Sequence, residues 1–376
     1  PTLAPRWGHD GATMGPKWGL FALTTLARQS PGHLWMTNPM EVMMRLMMRK
    51  YGMSRMTSWL GLLMAILFLT GSVTGQGGKG VTFREEGDRI EIMIDGRPAA
   101  RYHFGSEWLK PFLHEVRAGS GTVVTRGYPV TQVTGESRDH FWHHGIWYGH
   151  GDINGVDFWR EFTGDPREDA KFKLPIGRFV IKGRPRVKGG VKGGSLAADF
   201  DLVTHEKKMI GTIRQVFRFR REATATLIDA EITILADRGI ALRMGDTEEG
   251  SLGLRFNDAF RQDRGAVISN SSGLKGTEKV WGQRAEWVDY TTTINGERVG
   301  LTILDHPGNP KHPTYWHARG YGLCGVNPFG EHDFHNDPQR DGSLTIKAGG
   351  DLRFRYRIAI HGGQPALASW KSDFVR

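Results

Sequence analysis

The chain has a single cysteine, Cys324, among its 376 residues, so no intramolecular disulfide can brace it. A domain of about 300 residues without such staples has to be held by a large core, because the buried fraction of a chain rises with its length. Cys324 itself, between Leu323 and Gly325, reads as buried and inert. Helical periodicity is equally scarce, and the best helix candidate is a short segment at 365–369. There is no internal repeat, no linker after residue 76, and no apolar run of the ~20 residues that a membrane span requires. Lys+Arg number 50 against 40 Asp+Glu, a formal net charge of +10. Seven of the basic residues but only two of the acidic ones precede residue 76, so much of the basicity belongs to the N-terminal region. Much of the remaining excess lies in Lys182 to Gly194 (KGRPRVKGGVKGG), where no aromatic residue interleaves; this reads as a solvated hairpin loop and argues against nucleic-acid binding.

The first 75 residues hold ten of the 13 methionines and differ in composition from everything that follows. Arg49, Lys50 and Arg55 precede the apolar run from Trp59 to Leu69, and small residues follow from Gly71 to Gly75. A basic region, an apolar run and a small-residue exit are the parts of a secretory signal peptide, and the run is shorter than a membrane span. An uncleaved N-terminal anchor is the alternative. Because the chain begins at Pro1 and Met53 or Met56 would start a signal of ordinary length, we expect residues 1–52 to be upstream sequence and 53–75 a signal peptide. Residues 80–376 are then one domain, secreted or periplasmic, with no membrane span after signal cleavage.

What is present is β pattern. Arg89 to Ile94 and Arg97 to Phe104 flank Asp95-Gly96, a pair suited to a type I′ hairpin turn, whose central residues need φ > 0. Apolar positions alternate at Ile228, Ala230, Ile232 and Ile234 and again at Leu352, Phe354, Tyr356, Ile358 and Ile360, predicting strands with one wet face. Further strands are expected at 196–204, 210–220, 251–256 and 299–304. Many strands, 51 glycines and little helix predict an all-β fold, a large antiparallel β-sandwich.

The chemically dense stretch is 138–159, with His140, His143, His144 and His150, Asp139, Asp152 and Asp157, and the rings of Phe141, Trp142, Trp147, Tyr148, Phe158 and Trp159. Imidazoles beside carboxylates suit a metal site or acid/base catalysis, and aromatics beside polar groups suit sugars, whose C–H faces stack on rings. His140-x-x-His143-His144 is neither the zinc-protease helix pair nor a zinc-finger spacing, and glycines at 145, 149, 151 and 155 indicate a loop between short strands. A second cluster, His312, Tyr315, Trp316 and His317, then Asn327 to Asp333, is expected to share a cleft rim with the first, since loops gather at sheet ends. Asp246-Thr247-Glu248-Glu249 supplies carboxylates, and Trp281 to Tyr290 mixes aromatics with charges. Lys110 and Arg126 are placed to meet an anionic sugar, or to pair with Asp139 or Asp152.

Lys110-Pro111-Phe112, Arg126-Gly127-Tyr128-Pro129, Asp139-His140, His143-His144-Gly145-Ile146-Trp147, Asn154-Gly155-Val156-Asp157-Phe158-Trp159, Asp246 to Gly250, Gly282 to Tyr290 and Asn327 to Gly330 follow in an order that resembles the secreted bacterial family named methane oxygenase PmoA-like. The resemblance covers nearly all of 81–365. Its name implies a metal-dependent oxygenase, although a membrane methane monooxygenase subunit needs several spanning helices. At fold level the resemblance also implies a galactose-mutarotase-like supersandwich, a type whose members act on carbohydrates with a histidine acid and a carboxylate base.

The leading expectation is therefore a secreted carbohydrate-active enzyme, a hydrolase, lyase or epimerase. His143 or His144 would be its general acid/base and Asp152, Asp157 or Glu249 the carboxylate partner. Substrate contacts are expected from Lys110, Arg126, His140, Trp147, His150, Asn154, Trp159, Arg284 and Asn327. A non-catalytic carbohydrate-binding protein and a metal-dependent oxygenase are the alternatives. No cofactor is required by the first two readings; a divalent metal ion, if one binds, would take His140, His143, His144 and His150 as candidate ligands.

Overall fold

Asp95 and Gly96 take φ of 51° and 74°, the left-handed conformation that the hairpin turn demands. They join β2 (Arg89–Ile94) to β3 (Arg97–His103). Residues 78–374 are described in a computed structural model; the segments expected as upstream sequence (1–52) and signal peptide (53–75) lie outside the described residues. The hairpin belongs to a first antiparallel sheet of nine strands. Its order is β1 (Val81–Glu86), β2, β3, β4 (Phe112–His114), β5 (Ile146–His150), β12 (Gly250–Arg255), β18 (Leu323–Asn327), β17 (Thr314–Arg319) and β14 (Arg284–Ala285). The second runs β13 (Val267–Asn270), β15 (Trp287–Ile294), β16 (Glu297–Asp305), β20 (Asp351–Gly362), β10 (Ala225–Leu235), β9 (Met209–Arg221), β8 (Gly194–Val203) and β6 (Arg178–Ile181), with β7 (Arg186–Lys188) also on β8. A small pair, β11 (Leu242–Met244) with β19 (Leu344–Ile346), completes the strands.

The two sheets pack face to face, as the expected sandwich requires. Tyr102 of β3 lies 5.9 Å from Phe217 of β9 and donates its hydroxyl to Gln215 Oε1 at 3.0 Å. At the other end Tyr290 of β15 donates to the Leu323 carbonyl of β18 at 2.8 Å. These hydroxyls sit in an otherwise apolar layer, where each needs a partner to avoid a desolvation penalty. Cys324 is fully buried on β18, and burial pushes its thiol well above the ordinary range.

Four short α-helices lie among the described residues: α1 (Pro166–Asp169), α2 (Thr277–Val280), α3 (Glu331–His335) and α4 (Leu367–Ser372). None is long and apolar enough to cross a membrane. The glycine-rich basic segment forms the exposed hairpin of β7 and β8, as expected.

The inner strands of the first sheet, β5, β12 and β18, are buried along their whole length. Loops fold back over the sheet's outer face and bring Trp108, Val130 and Trp142 onto Phe112, Trp147, Trp159 and Leu323. Trp147 crosses Gly253, its register partner on β12; a Cβ at Gly253 would strike the indole.

Candidate active site

The His/Asp/aromatic stretch is split by the sheet it enters. On β5 the side chains alternate, so Ile146, Tyr148 and His150 share one face and Trp147 points to the other. Around Trp147 the rings of Tyr321, His140, His143 and Trp147 form a column, with successive centroids 5.2, 4.8 and 5.2 Å apart and interplanar angles of 8°, 2° and 21°. Trp159 closes the column at 4.9 Å from Trp147.

The inner part of this half is sealed. His143 and His144 are 1% and 0% exposed. Burial first, then neighbouring positive charge, holds both imidazoles well below their ordinary pKa, so they are neutral and weak bases. The sequence-based assignment of His143 or His144 as general acid/base is corrected on that ground: neither reaches the cleft described below. Lys110 and Arg126 are likewise unavailable to a sugar acid. Lys110 donates to Glu161 Oε1 at 2.6 Å, and His144 Nδ1 lies 3.3 Å from the same oxygen. Arg126 is fully buried and pairs with Asp139, which also takes Arg255 at 2.6 Å.

The four candidate metal-ligating histidines do not converge. His140 and His143 stack in parallel, so their in-plane lone pairs run side by side and cannot meet on one ion. His144 faces Glu161. His150, on the opposite face, meets the Gly245 carbonyl through Nε2 at 3.0 Å, and burial lowers its pKa to about 3.

Other expected contacts are structural. Asn154, at φ 53°, donates to the Ala241 carbonyl and accepts from the Arg243 N–H. Arg284 donates to the carbonyls of Pro313 and Lys311, and Trp316 donates Nε1–H to the Ala285 carbonyl in the core. His312 pairs with Asp305 at 2.7 Å.

The open half is a cleft of about 540 Å³, walled by Trp142, Phe172, Asp152, Asp157, Arg160, Glu248, Glu249, His332 and Asp333. It brings together the three carboxylates singled out from sequence with the far end of the Asn327–Asp333 segment. Asp157 accepts the backbone N–H groups of Trp159 and Arg160 at 2.7 and 2.9 Å, fixing the turn that presents Arg160. Arg160 then bridges Asp157 Oδ2 at 2.9 Å and Glu249 Oε1 at 2.7 Å. Asp152 lies at the rim and accepts the Gly155 N–H at 2.7 Å.

Glu248 and Glu249 sit on a turn just ahead of β12 that is fastened from several elements. Asn327 donates to the Thr247 carbonyl at 2.8 Å, and Asp333 accepts the Glu248 N–H at 2.8 Å. His317 Nδ1 lies 3.0 Å from the Glu248 carbonyl, while the Glu249 carbonyl accepts the Gly151 N–H at 2.7 Å. Asn327 is thus a positioning residue rather than a substrate contact. Burial pushes the Glu249 carboxyl up to about 7 despite Arg160, with the like charges of Glu248 and Asp157 adding to the shift. Burial also raises Glu248, against the opposing pull of Arg319. Arg160 was missed from sequence, and Glu248 was named there only among the carboxylates of its turn. The signal for Arg160 was its place three residues after Asp157, at the end of the aromatic run.

Among the described residues, one group could hold a metal: Asp246, His332 and Asp333, whose ligand atoms lie within 4.8 Å of one another. Two carboxylates and one imidazole suit a hard divalent cation better than the imidazole-rich set that copper oxygen chemistry favours. The residues therefore do not fit the copper of a methane oxygenase.

A family model matches residues 89–372, that of the family of unknown function DUF6807. The chain belongs to this family. Every residue of the cleft wall falls within the DUF6807 match. No curated protein matches the chain. Among solved structures, a galactose mutarotase-like protein from Lactobacillus casei is similar over 75% of this chain and 100% of that one, at 8% identity and a TM-score of 0.32. A GH36 α-galactosidase from Geobacillus stearothermophilus is similar over 75% of this chain and 41% of that one, at 9% identity and a TM-score of 0.36. A putative aldose 1-epimerase from Escherichia coli K12 covers 76% of this DUF6807 chain and 100% of its own length, at 10% identity and a TM-score of 0.29. At such scores these likenesses carry no argument about activity.

Proposed function

We propose that this DUF6807 protein is an exported carbohydrate-active enzyme, a hydrolase, lyase or epimerase, in which Glu249 moves the proton. The observation that carries the reading is a carboxyl poised at about 7 in a cleft of small-molecule size, held by Arg160 and walled by Trp142. A group titrating near the working pH can both give and take a proton, which is what acid/base catalysis needs. Glu248 and Asp157 supply further carboxylates beside it, and Trp142 and Phe172 offer rings for the C–H face of a sugar. Carboxylates outnumber the cations Arg160, Lys171 and Lys173 in the wall, which favours a neutral sugar over a uronate. Export rests on the basic, apolar and small-residue pattern from Arg49 to Gly75.

The test is a screen of the purified protein against a panel of neutral and oxidised glycans, repeated with chelator and with Glu249→Gln. Turnover should fall by ~10²–10⁴-fold in the variant while binding persists. The kcat/KM profile should break near pH 7 in the wild type and lose that break in the variant. Binding without turnover in the wild type would leave a sugar-binding protein, and full turnover in Glu249→Gln overturns the proposal.

A further inference from the structure

Phe162 stands out at 56% exposure, the one aromatic residue among the exposed large hydrophobics of the described residues. Its ring is not loose. On one side Glu161 is buried and accepts from Lys110 Nζ at 2.6 Å and from the Leu109 N–H at 3.2 Å. On the other, Thr163 donates both its N–H and its hydroxyl to Asp169 at 2.8 Å. The loop from Arg160 to Leu174 thus holds an apolar ring in water between two fixed points.

That ring continues a row that begins inside the cleft. Trp142 and Phe172 line the cleft wall with centroids 5.5 Å apart, and Phe172 lies 6.4 Å from Phe162. Phe172 meets Trp142 edge to face at 84° and Phe162 at a tilt of 42°, so the faces turn along the row, and the exposed face of Phe162 is free to stack on the C–H face of a sugar unit that leaves the cleft. We propose that Phe162 and Phe172 form an outer subsite for the sugar units of an oligosaccharide that extend beyond the cleft, an inference that rests on the carbohydrate reading given above. A protein partner would need ~800 Å² of contact per side, far more than one ring on a short loop offers. The residues that flank it at the mouth, Glu168 and Lys171, are exposed and polar, which suits hydroxyl groups.

Calorimetric titration with glucose, with the cello-oligosaccharides from two to six units, and with matching xylo- and manno-oligosaccharide ladders tests this. The proteins compared are the wild type, Phe162→Ala, Phe162→Tyr and Glu249→Gln. Affinity should rise with chain length in the wild type, and Phe162→Ala should remove a gain on the order of tenfold for the longer members only. Phe162→Tyr should restore it, and Glu249→Gln should keep the length dependence. Affinity that is flat with length, or a loss in Phe162→Ala that is equal at every length, overturns the subsite while the cleft reading stands. No binding of any ladder by the wild type overturns both.

Discussion

The two sheets treat their outer faces in opposite ways. On the second sheet that face carries a cross-strand ladder of ion pairs, with Asp199 of β8 joined to Arg214 of β9 at 2.6 Å and Glu231 of β10 within 3.8 Å of Arg353 on β20. On the first sheet the corresponding face lies under loops that seal in Trp147, Trp159, His143 and His144 and leave open the cleft of Glu248 and Glu249. A wet face needs only charge alternation, whereas a covered one must match volumes and satisfy or neutralise every polar group. The candidate chemistry sits where the cover is incomplete.

The largest expected break in this contrast is Trp147→Ala. It should cost ~3–5 kcal/mol in denaturant unfolding, because a buried indole leaves a cavity in the sealed layer. A cost under 1 kcal/mol would mean that the layer is not packed. Next comes the pH dependence of stability at the opening. The folded-state pKa of Glu249 is raised from 4.5 to about 7, so its favourable contribution is complete below pH 4.5 and lost as pH rises through 7. The size is on the order of 3 kcal/mol, and it should vanish from the stability profile of Glu249→Gln. His143→Phe should shift stability by no more than ~1 kcal/mol and leave turnover within a few fold, since both imidazole nitrogens are buried without partners and an apolar ring of similar shape loses nothing there. A loss of turnover with the fold intact would return His143 to the chemistry. Smallest is Arg214→Ala on the open face, at ~0.5 kcal/mol or less by the same unfolding assay.

The same contrast governs what could be read in the sequence. β10 and β20 were legible because one of their faces is wet, so apolar and charged residues alternate. β5 and β18 were not picked out, because a strand buried on both faces shows no period of two. The helix expected at 365–369 is found at Leu367–Ser372, since Pro365 lies ahead of it. Of the candidate site, Asp152, Asp157 and Glu249 do gather in one cleft. The histidines misled because composition records which groups are near one another along the chain, and not which side of a covering loop they face. Asn327 was noticed as a contact, but its part in fixing the Thr247 carbonyl depends on a partner 80 residues away.

That turn has a consequence for when the protein becomes competent. Its fasteners at His317, Asn327 and Asp333 come 69, 80 and 85 residues after the groups they hold. A chain cut short before residue 317 has made the acidic pair and its upstream contacts to Gly151 and Arg160, but none of these three fasteners. The geometry of the acidic turn is therefore a late product of synthesis, complete only once the chain through Asp333 is in place.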